Sequence, residues 1–178
     1  VTSVLDAIGE KVSSSTLSVQ CNFGETKEVA QTLPEIVQPK LWSPKNPYLY
    51  QVVTTVYEEG KKIDQVTTPY GIRWISWPIN REGNDTQFYV NDEPFFINGT
   101  CEYEHLIGNS HSFSNQQIKS RIAQIKGAGF NAFREAHQPH NLRYQNELDK
   151  EGILFWSQFS AHIWYDTPEF KENFKTLL

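Results

Sequence analysis

The chain has 178 residues, 38% of them apolar and 13% aromatic, which is enough to bury one substantial core or two smaller ones and too much for a disordered segment. Sixteen Lys and Arg against 21 Asp and Glu leave a net charge of −5 with no basic run, which removes the electrostatic case for a nucleic-acid partner and suits a neutral one. No apolar stretch has the length of a membrane span or the make-up of a leader, and the first residue is Val1, so the chain reads as a fragment of a larger protein, with no membrane partner and with a periplasmic or secreted location left open.

From Val1 to Asn80 the punctuation is that of strands and turns. Gly9-Glu10, Gly24-Glu25, Pro34, Pro44, Asn46-Pro47, Gly60 and Pro69 separate apolar runs and leave little room for helices. Val1 to Val12 reads as a hairpin, and Val12 to Phe23 as a strand rich in Ser and Thr. Tyr48 to Tyr57, full of β-branched and aromatic residues, pairs with Lys62 to Thr68 across Glu58-Glu59-Gly60-Lys61. This is the pattern of an antiparallel, immunoglobulin-like β-sandwich. Trp42 reads as a core plug rather than a platform for a ligand. Cys21 and Cys101, far apart in sequence, are expected as buried thiols and not as a disulfide.

Ile79 to Thr86 is polar and without period, which places a domain boundary there: 1–79 for the sandwich and 80–178 for a second domain. Phe88 to Gly99 reads as a tight hairpin around Asn91-Asp92 feeding a buried strand over Phe95 to Ile97. Ser114 or Asn115 caps a helix whose Ile118, Ile122 and Ile125 share one face, with Lys119, Arg121 and Lys126 on the wet side and Gly127 and Gly129 at its end. Phe130 to Phe133 comes next as a strand, Leu142 to Lys150 as a helix, and Gly152 to Trp156 as another strand that runs on into Ser157 to His162. Thr167 and Pro168 open a last helix. Strand alternating with helix implies a parallel sheet. Arg134, Glu135, His137 and His140 then sit at the carboxyl end of a strand, where α/β barrels keep their chemistry, although three strands are too few to close an eight-stranded barrel.

Asn131 to Trp156 also resembles the signature of glycoside hydrolase family 2, the family of β-galactosidases and β-glucuronidases. That signature runs Asn-x-apolar-Arg, a small polar pair, His-Tyr-Pro, then an Asp three residues before a Gly that opens an apolar strand. Asn131, Arg134, His137, Pro139, Asp149 and Gly152 fall on it, whereas Glu135, Ala136 and Gln138 depart from it. Leu41-Trp42-Ser43-Pro44, Pro47-Tyr48-Leu49-Tyr50 and Gly71-Ile72-Arg73 resemble, in order, landmarks of the immunoglobulin-like domain that precedes the barrel in this family, with one or two earlier strands missing here. Phe88 to Gly99 resembles the approach to the barrel, Asp92 and Glu93 standing for the usual Gly-Lys. The fold implied is multidomain: a partial immunoglobulin-like β-sandwich followed by the first three βα units of a TIM barrel.

The activity implied is that of a retaining glycoside hydrolase acting on terminal β-linked sugars, with carbohydrate as partner and no cofactor. A non-catalytic carbohydrate-binding or interaction module is the reading from another class. Retention needs two carboxylates about 5–5.5 Å apart. The resemblance puts both glutamates on the fourth and seventh barrel strands, beyond this chain, so no catalytic residue is expected within it. Asn146-Glu147 imitates the family's acid/base pair but belongs to a helix. By resemblance Arg134 points into the barrel mouth and holds the nucleophile or a sugar hydroxyl, because a guanidinium fork fixes a carboxylate in one orientation. A rim salt bridge to Glu135 is the competing reading of the same residue. Glu135 is read first as an ion-paired structural carboxylate and second as a substrate ligand. His137 matches the family histidine that lines the sugar site. Glu102, Glu104 and His105 are site candidates on the loop after the first barrel strand. His137, His140, His105 and His162 are not expected to bind zinc, since Pro139 separates the first two and no thiolate joins them.

The 178-residue chain alone is therefore expected to hydrolyse no β-linked nitrophenyl glycoside. Turnover by the purified chain that Glu135→Gln abolished would give Glu135 a catalytic role.

Overall fold

The computed structural model describes residues 1–77, 87–104, 114–158 and 166–177. The chain divides into two compact units, Val1–Phe96 and Ile97–Leu178. The boundary expected at 79/80 lies outside the described residues, as do His105 and His162.

In the first unit β1 (Thr2–Leu5), β2 (Lys11–Ser15), β3 (Tyr50–Glu58) and β4 (Lys61–Tyr70) form one antiparallel sheet in the order β2-β1-β3-β4. The expected hairpins are present. Asp6 Oδ1 accepts from the amides of Ile8 and Glu10 at 3.0 and 2.8 Å, which closes the turn that Gly9 completes at φ +89°. Glu59 and Gly60 both take positive φ between Glu58 and Lys61, the two-residue turn whose twist matches a hairpin. The strand expected from Val12 to Phe23 stops at Ser15. Residues 16–23 enter no ladder, and within β2 Ser13 Oγ donates to Pro34 O at 2.7 Å.

Trp42 is wholly buried, as expected. Its amide donates to Ile72 O at 2.9 Å, the Arg73 guanidinium lies 4.2 Å from its ring centroid, and Asn91 Nδ2 donates to its carbonyl at 2.9 Å. Asn91 also bonds Trp74 through its amide and Oδ1. It occupies, with Asp92, the positive-φ turn between β6 (Phe88–Val90) and β7 (Glu93–Phe95), which pair with β5 (Ile75–Ser76) in a second antiparallel sheet. Phe95 therefore pairs with Phe88 instead of opening the parallel sheet, and Phe96 and Ile97 are exposed.

The second unit opens its parallel sheet at β8 (Gly99–Tyr103), four residues later than the expected start at Phe95. The register is set by Asn98 and Asn131, whose amides donate to Asn131 Oδ1 and Asn98 O at 2.8 and 2.9 Å, and by Gly99, whose missing side chain admits Ala132. β9 (Ala132–Ala136) is central and β10 (Leu154–Trp156) flanks it, both neighbours parallel to it. The crossovers carry α1 (Asn115–Gly127) and α2 (Arg143–Glu151), and α3 (Pro168–Leu177) comes last. Ser114 and Gln117 form a reciprocal cap on α1, Gly152 ends α2 at φ +71°, and Thr167 Oγ1 accepts from Phe170 N. Ile118, Ile122 and Ile125 of α1, Phe133 of β9, Tyr144 and Leu148 of α2, and Ile153 make the core. Strand, helix, strand and helix around an open parallel sheet are the opening units of a TIM barrel. Both cysteines are free but exposed, a correction to the expected buried thiols: Cys101 points to the uncovered face of the sheet and Cys21 lies outside any ladder.

These contacts separate two glycines. A Cβ on Gly71 would stand 2.9 Å from the Trp42 side chain, so Gly71→Ala should cost about 1–3 kcal/mol by overpacking. Gly127, at the end of α1, has open space around it, and Gly127→Ala should add roughly 0.4–1 kcal/mol. Chemical denaturation of the two variants beside wild type measures both signs.

Candidate functional site

Successive residues of a strand face opposite sides, and parallel pairing keeps partners on the same side. Thr100, Phe133 and Phe155 are partners, as are Glu102 and Glu135, and this is the face that α1 and α2 cover, since Phe133 lies in their core. Cys101, Arg134 and Trp156 form a row on the opposite face, with Tyr103 and Ala136 one step towards the carboxyl ends. The sequence candidates therefore part company. Arg134 belongs to the uncovered face and Glu135 to the helix side.

Arg134 is half-buried, and its side chain has no ion pair or hydrogen bond among the described residues. Glu135 is completely buried, and neither of its oxygens has a hydrogen-bond partner among the described residues. The expected Arg134–Glu135 rim salt bridge is absent, because neighbours within one strand cannot both reach the same side.

Glu102 corrects its expected place on a loop, whereas Glu104 keeps it. Glu102 is inside β8 and buried, where Arg121 of α1 grips it: Nε lies 2.8 and 2.9 Å from its two oxygens and Nη2 2.5 Å from Oε2. That grip raises the guanidinium above its ordinary pKa, against the opposing effect of burial. Glu104 comes just after β8, is buried, and accepts from the Asn141 amide at 2.6 Å, shortly before α2. Behind them, burial and then the charges of Glu102 and Glu104 push the Tyr144 phenol well above its ordinary pKa. The second-helix glutamate, Glu147, pairs with Lys150 at 2.7 Å.

The two histidines of the polar knot diverge across Pro139. His140 is buried, its ring edge-on to Phe133 and Tyr144 at 5.7 and 5.2 Å. His137 is half-buried just past β9 and joined to Ala136 by a cis peptide. Tyr103 meets its ring edge-on at 5.2 Å, and Gln158 Nε2 lies 3.4 Å from its Nδ1. Among the described residues no three His, Cys, Asp or Glu side chains converge as metal ligands would. Tyr103 and Gln158 were missed in the sequence. The available signal was position: both stand at or just past the carboxyl end of a parallel strand, as His137 does.

The sequence model described as "Glycosyl hydrolases family 2" matches residues 2–73, and that described as "Glycosyl hydrolases family 2, TIM barrel domain" matches residues 82–161. A putative beta-glucuronidase of Formosa agariphila is 30% identical over 155 residues, 87% of this chain and 18% of its own. A beta-galactosidase of Bacteroides ovatus is 30% identical over 152 residues, 85% of this chain and 17% of its own. The crystal structure of a glycosyl hydrolase family 2 member from Bacteroides cellulosilyticus superposes with a TM-score of 0.80 at 29% identity, over 99% of this chain and 23% of that one. The chain thus spans about a fifth of the length of the relatives it matches.

The Tyr144 phenol gives a pH test of the helix side. Its folded pKa lies above its unfolded value, so the stability it contributes is complete below about pH 10 and is lost as the pH rises from there towards the folded value. Tyr144→Phe should flatten that alkaline decline, measured as the denaturation midpoint of variant and wild type from about pH 9 to about pH 11.5.

Proposed function

Because the chain belongs to glycoside hydrolase family 2, we propose that the protein containing it is a retaining glycoside hydrolase that removes terminal β-linked sugars, in the manner of the β-galactosidases and β-glucuronidases it resembles. The observation that carries this reading is the place of Arg134 and His137. They stand in and just after the central parallel strand, at its carboxyl end, and Arg134 lies on the face away from the helices. Barrel enzymes assemble their sites on that face and at that end.

In this reading residues 1–79 contribute the immunoglobulin-like sandwich and 80–178 the start of the catalytic barrel, a division in keeping with the matched ranges 2–73 and 82–161. The two catalytic glutamates come from later strands. Arg134, with no partner here among the described residues, is available to hold the nucleophilic carboxylate or a sugar hydroxyl. His137 binds a sugar hydroxyl. Glu102, Glu104 and Glu135 support the site from behind the sheet, Glu102 by tying β8 to α1 and Glu104 by tying its end to the start of α2. His105 keeps its place as a candidate beside them.

The test is kinetic, on the full-length protein with β-linked nitrophenyl glycosides. An Arg that orients a nucleophile acts chiefly on the transition state, so Arg134→Ala should lower kcat by roughly 10²-fold or more. His137→Ala should raise KM more than it lowers kcat. Because Arg134 takes part in no ion pair among the described residues, its variant should melt with wild type. A full-length protein that binds glycans and hydrolyses none would replace this reading with that of a binding module.

A further inference from the structure

His137 opens a link of four residues, His137 to His140, between the end of β9 and Asn141. The near end is fixed by the ladder, in which Ala136 is the partner of Tyr103, the last residue of β8. The far end is fixed by the next residue of the chain, Glu104, whose buried carboxylate accepts from the Asn141 amide at 2.6 Å. A backbone amide only donates, so the direction of this bond is settled by its chemistry. Two consecutive residues at one strand end thus hold both ends of the link, and the first of them, Tyr103, also lies edge-on to the His137 ring at 5.2 Å.

Asn141 is where the link meets α2. Leu142 gives that helix no side-chain cap, and Asn141 serves in its place: its carbonyl accepts from the Tyr144 amide at 2.8 Å and its Oδ1 from the Arg143 amide at 3.1 Å. Both of its acceptors therefore work for the helix, while its amide ties it to the sheet. We propose that Glu104 is a positioning residue: by holding the Asn141 amide it closes the link over the end of β8 and so sets where the His137 imidazole stands. A short link closed at both ends by the same strand has few arrangements open to it. Held by β8 at Ala136 alone, with its other end carried by the helix, it would follow every small movement of α2 against β8. A displacement of about 1 Å is enough to take a side chain out of hydrogen-bonding range of its target.

The use made of His137 rests on the proposed function, whereas the closed link does not, and the experiment separates the two. In hydrogen exchange of the full-length protein read by mass spectrometry, Glu104→Ala should speed exchange in the peptide covering 137–143 by roughly tenfold or more and leave peptides covering 118–127 and 147–151 as in wild type. Glu104→Gln keeps an oxygen for the Asn141 amide and removes the charge, so it should stay near wild type. Unchanged exchange over 137–143 in Glu104→Ala overturns the proposal whether or not the protein is active, because the bond then holds nothing. Equal acceleration in all three peptides overturns it too, because Glu104 then serves only general packing. In the kinetic arm, with β-linked nitrophenyl glycosides, Glu104→Ala should raise KM roughly five- to tenfold, the loss of one hydrogen bond, with kcat little changed, and Glu104→Gln should recover most of it. Added to His137→Ala, the same Glu104→Ala change should raise KM no further. An equal rise with and without His137 shows Glu104 acting elsewhere, and the proposal falls. Absence of wild-type hydrolysis together with the stated exchange would instead reject the proposed function.

Discussion

The central strand of the parallel sheet has its direction fixed on both edges, and the alternation of its side chains governs what the second unit can do. Ala132 to Ala136 pairs residue for residue with β8 and, over its first three positions, with β10. A slip of one residue would exchange the faces of every side chain in it. Phe133 would leave the core of Ile118, Ile122, Tyr144 and Leu148, and Arg134 would enter it. Burying Phe133 is worth about 1.5–3 kcal/mol, and burying an unpaired guanidinium costs several, so the two terms oppose a slip together. The same constraint that places Arg134 on the uncovered face forces its neighbour Glu135 into the helix layer.

Three glutamates end up buried there, and they are not equivalent. Glu102 has Arg121 bridging both of its oxygens, although Arg121 is itself 37% exposed, so solvent screens the pair and little net stability is ascribed to it. Its value is geometric: it ties the face of β8 to α1. Glu104 holds the backbone at Asn141 and thereby the start of α2. Glu135 has neither kind of contact among the described residues. The helix-side carboxylates thus join β8 to α1 and to the start of α2, while Arg134 on the opposite face has no ion pair among the described residues.

Much of this arrangement was legible in the chain. Ile118, Ile122 and Ile125 at helical spacing, the Ser114 cap, Gly152 in the left-handed region and the Asn91-Asp92 turn all appear where local chemistry puts them. Trp42 was legible as a plug for the same reason: a large aromatic among prolines has few other places to go. The misses have one physical origin. Phe95 to Ile97 carries the apolar run of a buried strand, but the turn that precedes it commits Phe95 to β6, and the parallel sheet has to wait for Gly99, the first residue small enough to lie against Ala132. The Ser/Thr run after Val12 similarly has strand composition without a partner that would use it. Composition states a preference, and pairing decides, through contacts distant in sequence. Arg134 and Glu135 looked like an ion pair because they are adjacent in the chain; the pleat makes adjacency the reason they cannot be one.

Arg134 and His137 are held by different means, and this sets how each can serve a reaction. The backbone of Arg134 is paired on both sides, with Cys101 and with Trp156, so only its side-chain torsions are free to adjust. A group fixed to that degree is suited to an atom whose position must not change as charge develops, because no reorganisation is then needed at the transition state. His137 lies beyond the paired residues, with Tyr103 at the end of β8 and Gln158 just past β10 against its ring. Movement of either outer strand end reaches His137 through those side chains and leaves the backbone of Arg134 in place. Under the proposed function, this difference suits His137 to ground-state recognition of the sugar and Arg134 to a fixed electrostatic role.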